Sequence, residues 1–131
     1  MGHLPPFPPD HPDIERVRRI ALALPEAKEK LSVGRPAFYT KKVFVWFGMS
    51  RKVDGVWDRS PISVCVLLPE DERQAVLGSP AAYIPGYIGP YGWVGLLLDE
   101  STDWVEIAEL IEESYRMTAP ARLVRMLDGG A

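Results

Sequence analysis

No stretch of this 131-residue chain stays apolar for the 18 or so residues that a membrane crossing needs, so no membrane span is expected. The front of the chain also lacks a basic stretch followed by an apolar core, the pattern of a secretory leader. Cysteine occurs once, as Cys65, which excludes an internal disulfide and suits a reducing, cytoplasmic setting. Flanked by Val64 and Val66, that thiol reads as a small buried hydrophobe. Histidine is scarce as well. His3 and His11 are the only two, and both stand before or at the edge of the folded part. No cysteine or carboxylate cluster surrounds them, so no metal is expected, and a serine–histidine pair is excluded with it. Neither G-x-x-x-x-G-K-[ST] nor G-x-G-x-x-G occurs, which removes the common nucleotide cradles. Asp99 and Asp103 could in principle share acid–base work, but one of them reads better as a helix cap, in competition with Ser101 or Thr102. These absences predict a protein that is not an enzyme and carries no cofactor.

What is present is an ordinary globular composition, 47% hydrophobic and 25% charged, with a net charge of −3. That mild acidity argues against indiscriminate nucleic-acid binding. The distribution is uneven. Residues 1–60 hold 11 Lys/Arg against 7 Asp/Glu, and residues 61–131 hold 4 against 11. An asymmetry of this kind points to a basic face and an acidic face, provided the halves of the sequence are also halves in space.

The length fits one domain over residues 13–127, after a proline-rich flexible tail at 1–12 and before a frayed end at 128–131. A first helix starts at Asp10 or His11, with Pro12 in its first turn, and ends at Pro25. Residues 26–31 read as a further helical turn. Ala37 to Thr40 and Val43 to Phe47 read as strands joined at Lys41-Lys42. In the second, Val43, Val45 and Phe47 face one side and Phe44 and Trp46 the other, so both faces are covered or one meets a partner. Residues 48–59 form a polar loop turning at Asp54-Gly55. Ile62 to Leu68 is a third strand and Glu70 to Leu77 a short helix. Residues 78–91 form a long connection with Tyr83, Tyr87 and Tyr91 spaced between prolines.

The segment organising the rest is 89–115. A turn rich in Gly and Pro leads into an apolar strand from Trp93 to Leu98, and a helical pattern begins at Asp103. Trp104, Ile107, Ala108, Ile111 and Tyr115 recur there on one stripe. A last helical turn or two covers Leu123 to Leu127. The fold class expected is α+β, a small antiparallel sheet with hairpins packed against helices.

Landmarks in this order resemble the MmcQ/YjbR family of small bacterial proteins: LALPEA at 22–27, GRPAF at 34–38 with KVF at 42–44, GWV at 92–94 with LD at 98–99, and DW at 103–104 leading to ESY at 113–115 and AP at 119–120. The resemblance spans the chain from Ile14 to about Val124. It implies a double-wing fold, in which hairpin wings project from a small sheet backed by helices. It also implies DNA binding, through wings that here correspond to the Lys41-Lys42 hairpin and the loop holding Arg51, Lys52 and Arg59. Members often carry a lysine just before the tryptophan that matches Trp93. This chain has Pro90 and Tyr91 there, so that cation is missing.

Two functional expectations follow. In the first, DNA is the partner: Arg35, Lys41, Lys42, Arg51, Lys52 and Arg59 neutralise phosphates while Trp57 stacks or wedges. In the second, the chain binds itself, another protein or a small molecule through Trp46, Tyr83, Tyr87, Tyr91 and Trp93, with no role for nucleic acid.

Overall fold

The computed structural model describes residues 11–130, so the tail expected at 1–10 and the last residue lie outside the described residues. Helix α1 (Pro12–Leu22) is capped by His11, whose Nδ1 accepts the Asp13 amide at 3.1 Å. Proline sits at its first position, where a missing N–H costs nothing. The expected tail is thus two residues too long, because His11 and Pro12 belong to the helix start.

The chain then forms β1 (Lys28–Ser32), β2 (Arg35–Tyr39), β3 (Val43–Phe47), β4 (Arg51–Val53), β5 (Val56–Asp58) and β6 (Ser63–Leu67). Helix α2 (Glu70–Leu77), β7 (Ala82–Tyr83), a 3₁₀ turn (Gly89–Tyr91) and β8 (Trp93–Leu97) follow. The chain closes with α3 (Trp104–Thr118) and α4 (Ala121–Leu127). Six strands pair antiparallel in the order β1-β2-β3-β6-β8-β7, and β4 pairs only with β5.

All the helices cover one face of this sheet. Ile14, Val17 and Ala21 of α1, Ile107, Leu110, Ile111 and Tyr115 of α3, and Leu123 of α4 meet Phe38, Val45, Phe47, Val64, Val66, Val94 and Leu96. Val76 and Leu77 of α2 join the same cluster. Asp103 caps α3, its carboxylate accepting the amides of Val105 and Glu106. Between the two candidate aspartates, this one is the cap. Among the described residues no helix is long and apolar enough to cross a membrane.

Three sequence expectations need correction. Residues 28–32 form an edge strand rather than a helical turn, because Glu26 adopts a positive φ of 56° and the K-E-K alternation suits a strand with one buried side. Residues 51–58 form a hairpin rather than a loop, turning tightly through Asp54 (φ 50°) and Gly55 (φ 80°). The simple alternation within β3 also fails. Phe38 pairs with Val45 and Tyr39 with Val43, leaving Phe44 as an extra residue in a β-bulge. Phe44 therefore joins Val45 and Phe47 on the helix side, where it meets Tyr115 edge-on at 5.2 Å. Val43 falls beside Trp46 on the other side. At the end of the described chain Arg116 donates to the Asp128 carboxylate at 2.6 Å, and the Gly130 amide donates to the Arg125 carbonyl at 2.8 Å.

The bulge leaves a gap that α3 fills. Continuing the β3–β6 ladder one step past Val45 and Val66 would set Phe44 against Leu67. Instead the Ser114 hydroxyl enters between them, donating to the Phe44 carbonyl at 2.6 Å and accepting the Leu67 amide at 2.9 Å. Ser114 is fully buried, so Ser114→Ala would leave both backbone groups unmet at a cost of about 1–3 kcal/mol. A lower urea midpoint at unchanged m-value, the shift multiplied by m giving that loss, is the expected result.

Candidate nucleic-acid interface

The sheet face away from the helices is built from two rows of side chains running across the strands. One row holds Lys30, Ala37, Trp46, Cys65, Gly95 and Tyr83, as the strand pairings require. The next holds Lys28, Tyr39 and Val43, with Leu67 and Trp93 further across. Over the β6–β8–β7 half, the chain folds back on itself. Met49, Cys65 and Trp93 are buried there against Trp46, Leu67, Tyr83 and Ile88. Gly86 donates its amide to Ser50 and lies so close to Trp57 that a Cβ would meet the ring at 3.1 Å, which ties the 84–91 segment to the β4–β5 wing.

Tyr83 and Trp93, expected at a partner surface, belong to this packing. The Tyr83 hydroxyl donates to the Met49 carbonyl at 2.7 Å, lies 2.7 Å from the Ser63 hydroxyl, and is 3.6 Å from Cys65 Sγ. Burial, with Cys65 beside it, raises the tyrosine's pKa well above its ordinary value. Burial likewise pushes the Cys65 thiol up to about 12, leaving it inert as a nucleophile. Gly95 makes room for this ring: a Cβ there would stand 2.4 Å from it. Trp46 is half-buried, whereas Tyr87 and Tyr91 stand exposed, the former 85% so with a positive φ of 61°.

The six cations expected on one patch do not converge. Arg35 is buried, 1% exposed. Its guanidinium donates to the carbonyls of Gly48 at 3.1 Å, Gly34 at 3.2 Å and Arg59 at 2.6 Å, and to the Ser60 hydroxyl at 3.0 Å. Burial pulls its pKa below the ordinary arginine value, yet a guanidinium remains charged, and it serves as a strut between the sheet and the wing. A phosphate role for Arg35 is therefore withdrawn.

Arg51, Lys52, Arg59 and Trp57 lie on the wing or at its foot, after the last residue of β3, while Lys41 and Lys42 precede its first. A five-residue strand, about 17 Å long, separates the two groups. On the wing, Arg51 is paired with Asp58 at 3.2 Å, Lys52 lies 5.7 Å from the Trp57 ring centre, and Arg59 is exposed.

At the opposite end the picture differs. Lys28 stands directly across from Tyr39, the Lys30 ammonium lies 4.7 Å from the Tyr39 ring centre, and Lys41 and Lys42 form the turn that follows Tyr39. All four lysines are exposed, and among the described residues none of them is in an ion pair. The nearest carboxylate influence is at longer range: Glu26 is held below its ordinary value first by Arg122 and only last by Lys28. Glu29, between the two strand lysines, points to the helix side and binds Arg18 at 2.6 Å. In the same turn, the Thr40 hydroxyl oxygen is buried with no hydrogen-bond partner.

Lys28 and Lys30 were missed from sequence because 26–31 read as helix, and with them the partners that flank Tyr39. The K-E-K alternation was the signal that could have found them, since it places both lysines on one side of a strand. Within the helix layer α2 and α3 are acidic, whereas α1 and α4 carry more arginine than carboxylate. Glu72 of α2 is held above the ordinary carboxylate value by burial and by the carboxylates of Glu113 on α3 and Asp71, so the acids of the two helices adjoin. Among the described residues, no group of three or more His, Cys, Asp or Glu side chains could hold a metal ion.

Comparison with known proteins gives the family and the fold. No curated protein matches the chain. Among solved structures, protein DR2400 of Deinococcus radiodurans, with family-model domain DUF419, is 16% identical at a TM-score of 0.63, the match covering 90% of this chain and 88% of that one. A protein from Pseudomonas syringae is 18% identical at a TM-score of 0.53, covering 72% of this chain and 79% of that one. At such identities the likeness is one of fold. The YjbR family model matches residues 22–117, well over half of the sequence. Several landmarks of the resemblance are joints of the fold: Arg35 in GRPAF, Ser114 in ESY, and Tyr115, whose hydroxyl donates to the Pro25 carbonyl in LALPEA at 2.7 Å. This chain belongs to the YjbR family.

Proposed function

We propose that the protein binds nucleic acid, DNA being the expected form, by its phosphate backbone and without catalysing a reaction. The observation carrying this reading is the set of exposed lysines without ion pairs, Lys28, Lys30, Lys41 and Lys42, gathered at one end of the sheet. Exposed cations that, among the described residues, enter no ion pair and gather at one end of the sheet suit a polyanion. The lysines of the β2–β3 turn carry over from the earlier expectation, and those of β1 replace Arg35.

Fluorescence anisotropy with a labelled DNA duplex at several salt concentrations tests it. Four phosphate contacts predict a slope of log K against log salt of about −3.6, and a loss of roughly 150-fold between 50 and 200 mM salt. Binding that ignores salt, or no binding of either duplex or single strand at micromolar protein, removes the reading.

One observation favours a second reading, binding of a protein by the wing. Val56, Trp57, Ile84 and Tyr87 are exposed together where the 84–91 segment meets the hairpin. Self-association is its simplest version. A single species in sedimentation across a hundredfold range of concentration, at the monomer mass, would exclude that version.

A further inference from the structure

We infer that the nucleic acid is single-stranded and lies across the helix-free sheet face, with bases stacked on Tyr39 and Trp46 and phosphates held by Lys28, Lys30, Lys41 and Lys42. This rests on the reading above and adds the kind of strand and its footing.

The argument starts from register. Trp46 stands across from Ala37, and Tyr39 is two residues further along β2, so the two rings are diagonal neighbours on one face. Diagonal positions lie about 7–8 Å apart, within reach of large aromatic side chains. Ala37, the residue between them and Lys30, is too small to screen either ring. Both aromatics are half-buried, and among the described residues no helix contributes to the cluster on this face. The wing foot and the 84–91 segment pack on the β6–β8–β7 half and reach Arg35 of β2 and Val43 and Trp46 of β3, so Trp46 borders that packing while Tyr39 lies outside the cluster.

Two half-exposed aromatics on one sheet face offer a stacking platform that any base can use. A duplex cannot use it, because its base faces are already stacked on one another. The lysines complete the pattern. Lys28 and Lys30 flank Tyr39 from β1, and Lys41 and Lys42 flank it from the turn, so cations border the rings on two sides. Lysines on an edge strand also deter pairing with another chain, which is a sufficient reason for Lys28 and Lys30. It does not extend to Lys41 and Lys42, which lie in a turn between two interior pairings. Charge complementarity and the exposed parts of the two rings therefore select the same occupant.

The experiment compares a labelled 12-nucleotide oligothymidylate with a 12-base-pair duplex on the whole chain and on Tyr39→Leu, Tyr39→Phe and Trp46→Leu. The expected result is single-strand binding at least about 10-fold tighter than duplex binding, weakened about 10-fold by either leucine variant. Tyr39→Phe keeps a stacking ring and should bind as the parent does. Circular dichroism melts accompany each variant. Should Trp46→Leu fail to fold, the pair Tyr39→Leu and Tyr39→Phe decides alone.

Equal binding of both forms, with no effect of Tyr39→Leu, overturns the sheet-face inference and leaves phosphate binding standing. Weakening by Trp57→Leu but not by Tyr39→Leu moves the contact to the wing and overturns it too. If neither strand form binds at micromolar protein, both readings fall.

Discussion

Changing Lys41 and Lys42 together to glutamate should weaken oligonucleotide binding on the order of 100- to 1,000-fold. Two lost attractions and two new repulsions, at roughly 1 kcal/mol each for exposed charges near a phosphate, come to that amount. The loss should be alike for every sequence, because phosphate contacts carry no base information. The salt slope should also flatten by about 2, one unit for each contact removed. Stability should hardly change, since both side chains are exposed and in no ion pair. Anisotropy titrations on the double variant, beside a melting curve, separate the two quantities. An unchanged affinity would exclude the turn from the interface.

The second large effect concerns stability rather than binding. Arg35→Ala removes the donors that meet the carbonyls of Gly48, Gly34 and Arg59 and the Ser60 hydroxyl, and it empties a fully buried volume. At about 1–3 kcal/mol for each buried acceptor left unmet, a loss of about 3–5 kcal/mol is expected, a large share of a typical domain's stability. For a domain of this size that corresponds to a fall in melting temperature of about 10–20 °C. Arg35→Lys should recover little of it, because a single ammonium cannot span carbonyls that a planar fork reaches. A thermal shift under about 3 °C would show that Arg35 carries far less than its bonds suggest.

Arg35 and Lys42 show how far the sequence could be read. Both are basic and both lie in segments that resemble the family's, and nothing in the one-dimensional pattern tells them apart. Their difference is tertiary: β2 starts against the Phe47–Ser63 end of the sheet, where backbone carbonyls await a donor, while the β2–β3 turn faces solvent. The layers were legible because they rest on short-range rules. The apolar stripe of α3 and the strands around Phe44 and Cys65 follow from periodicity alone. The sequence left the cap open among Asp99, Ser101, Thr102 and Asp103 until the structure placed it at Asp103.

The bulge at Phe44 was not legible, because one extra residue in a strand leaves no compositional mark, only a shift of faces. The edge strand β1 was hidden for another reason. Its residues Lys28, Glu29 and Lys30 favour helix in isolation, and pairing with β2 overrides that preference. As a result, half of the lysine cluster stayed invisible until the strand was seen.

The layering of charge has a kinetic consequence. With the carboxylates of α2 and α3 adjoining behind the sheet and ammonium groups at one margin of it, charge is unevenly spread despite the small net value. In the field of a polyanion such a body experiences a torque as well as a force, and it turns its lysine margin forward before contact. Fewer encounters are then wasted on wrong orientations. Association should be fast at low ionic strength and slow down once the screening length falls to about 8 Å, shorter than the molecule is wide.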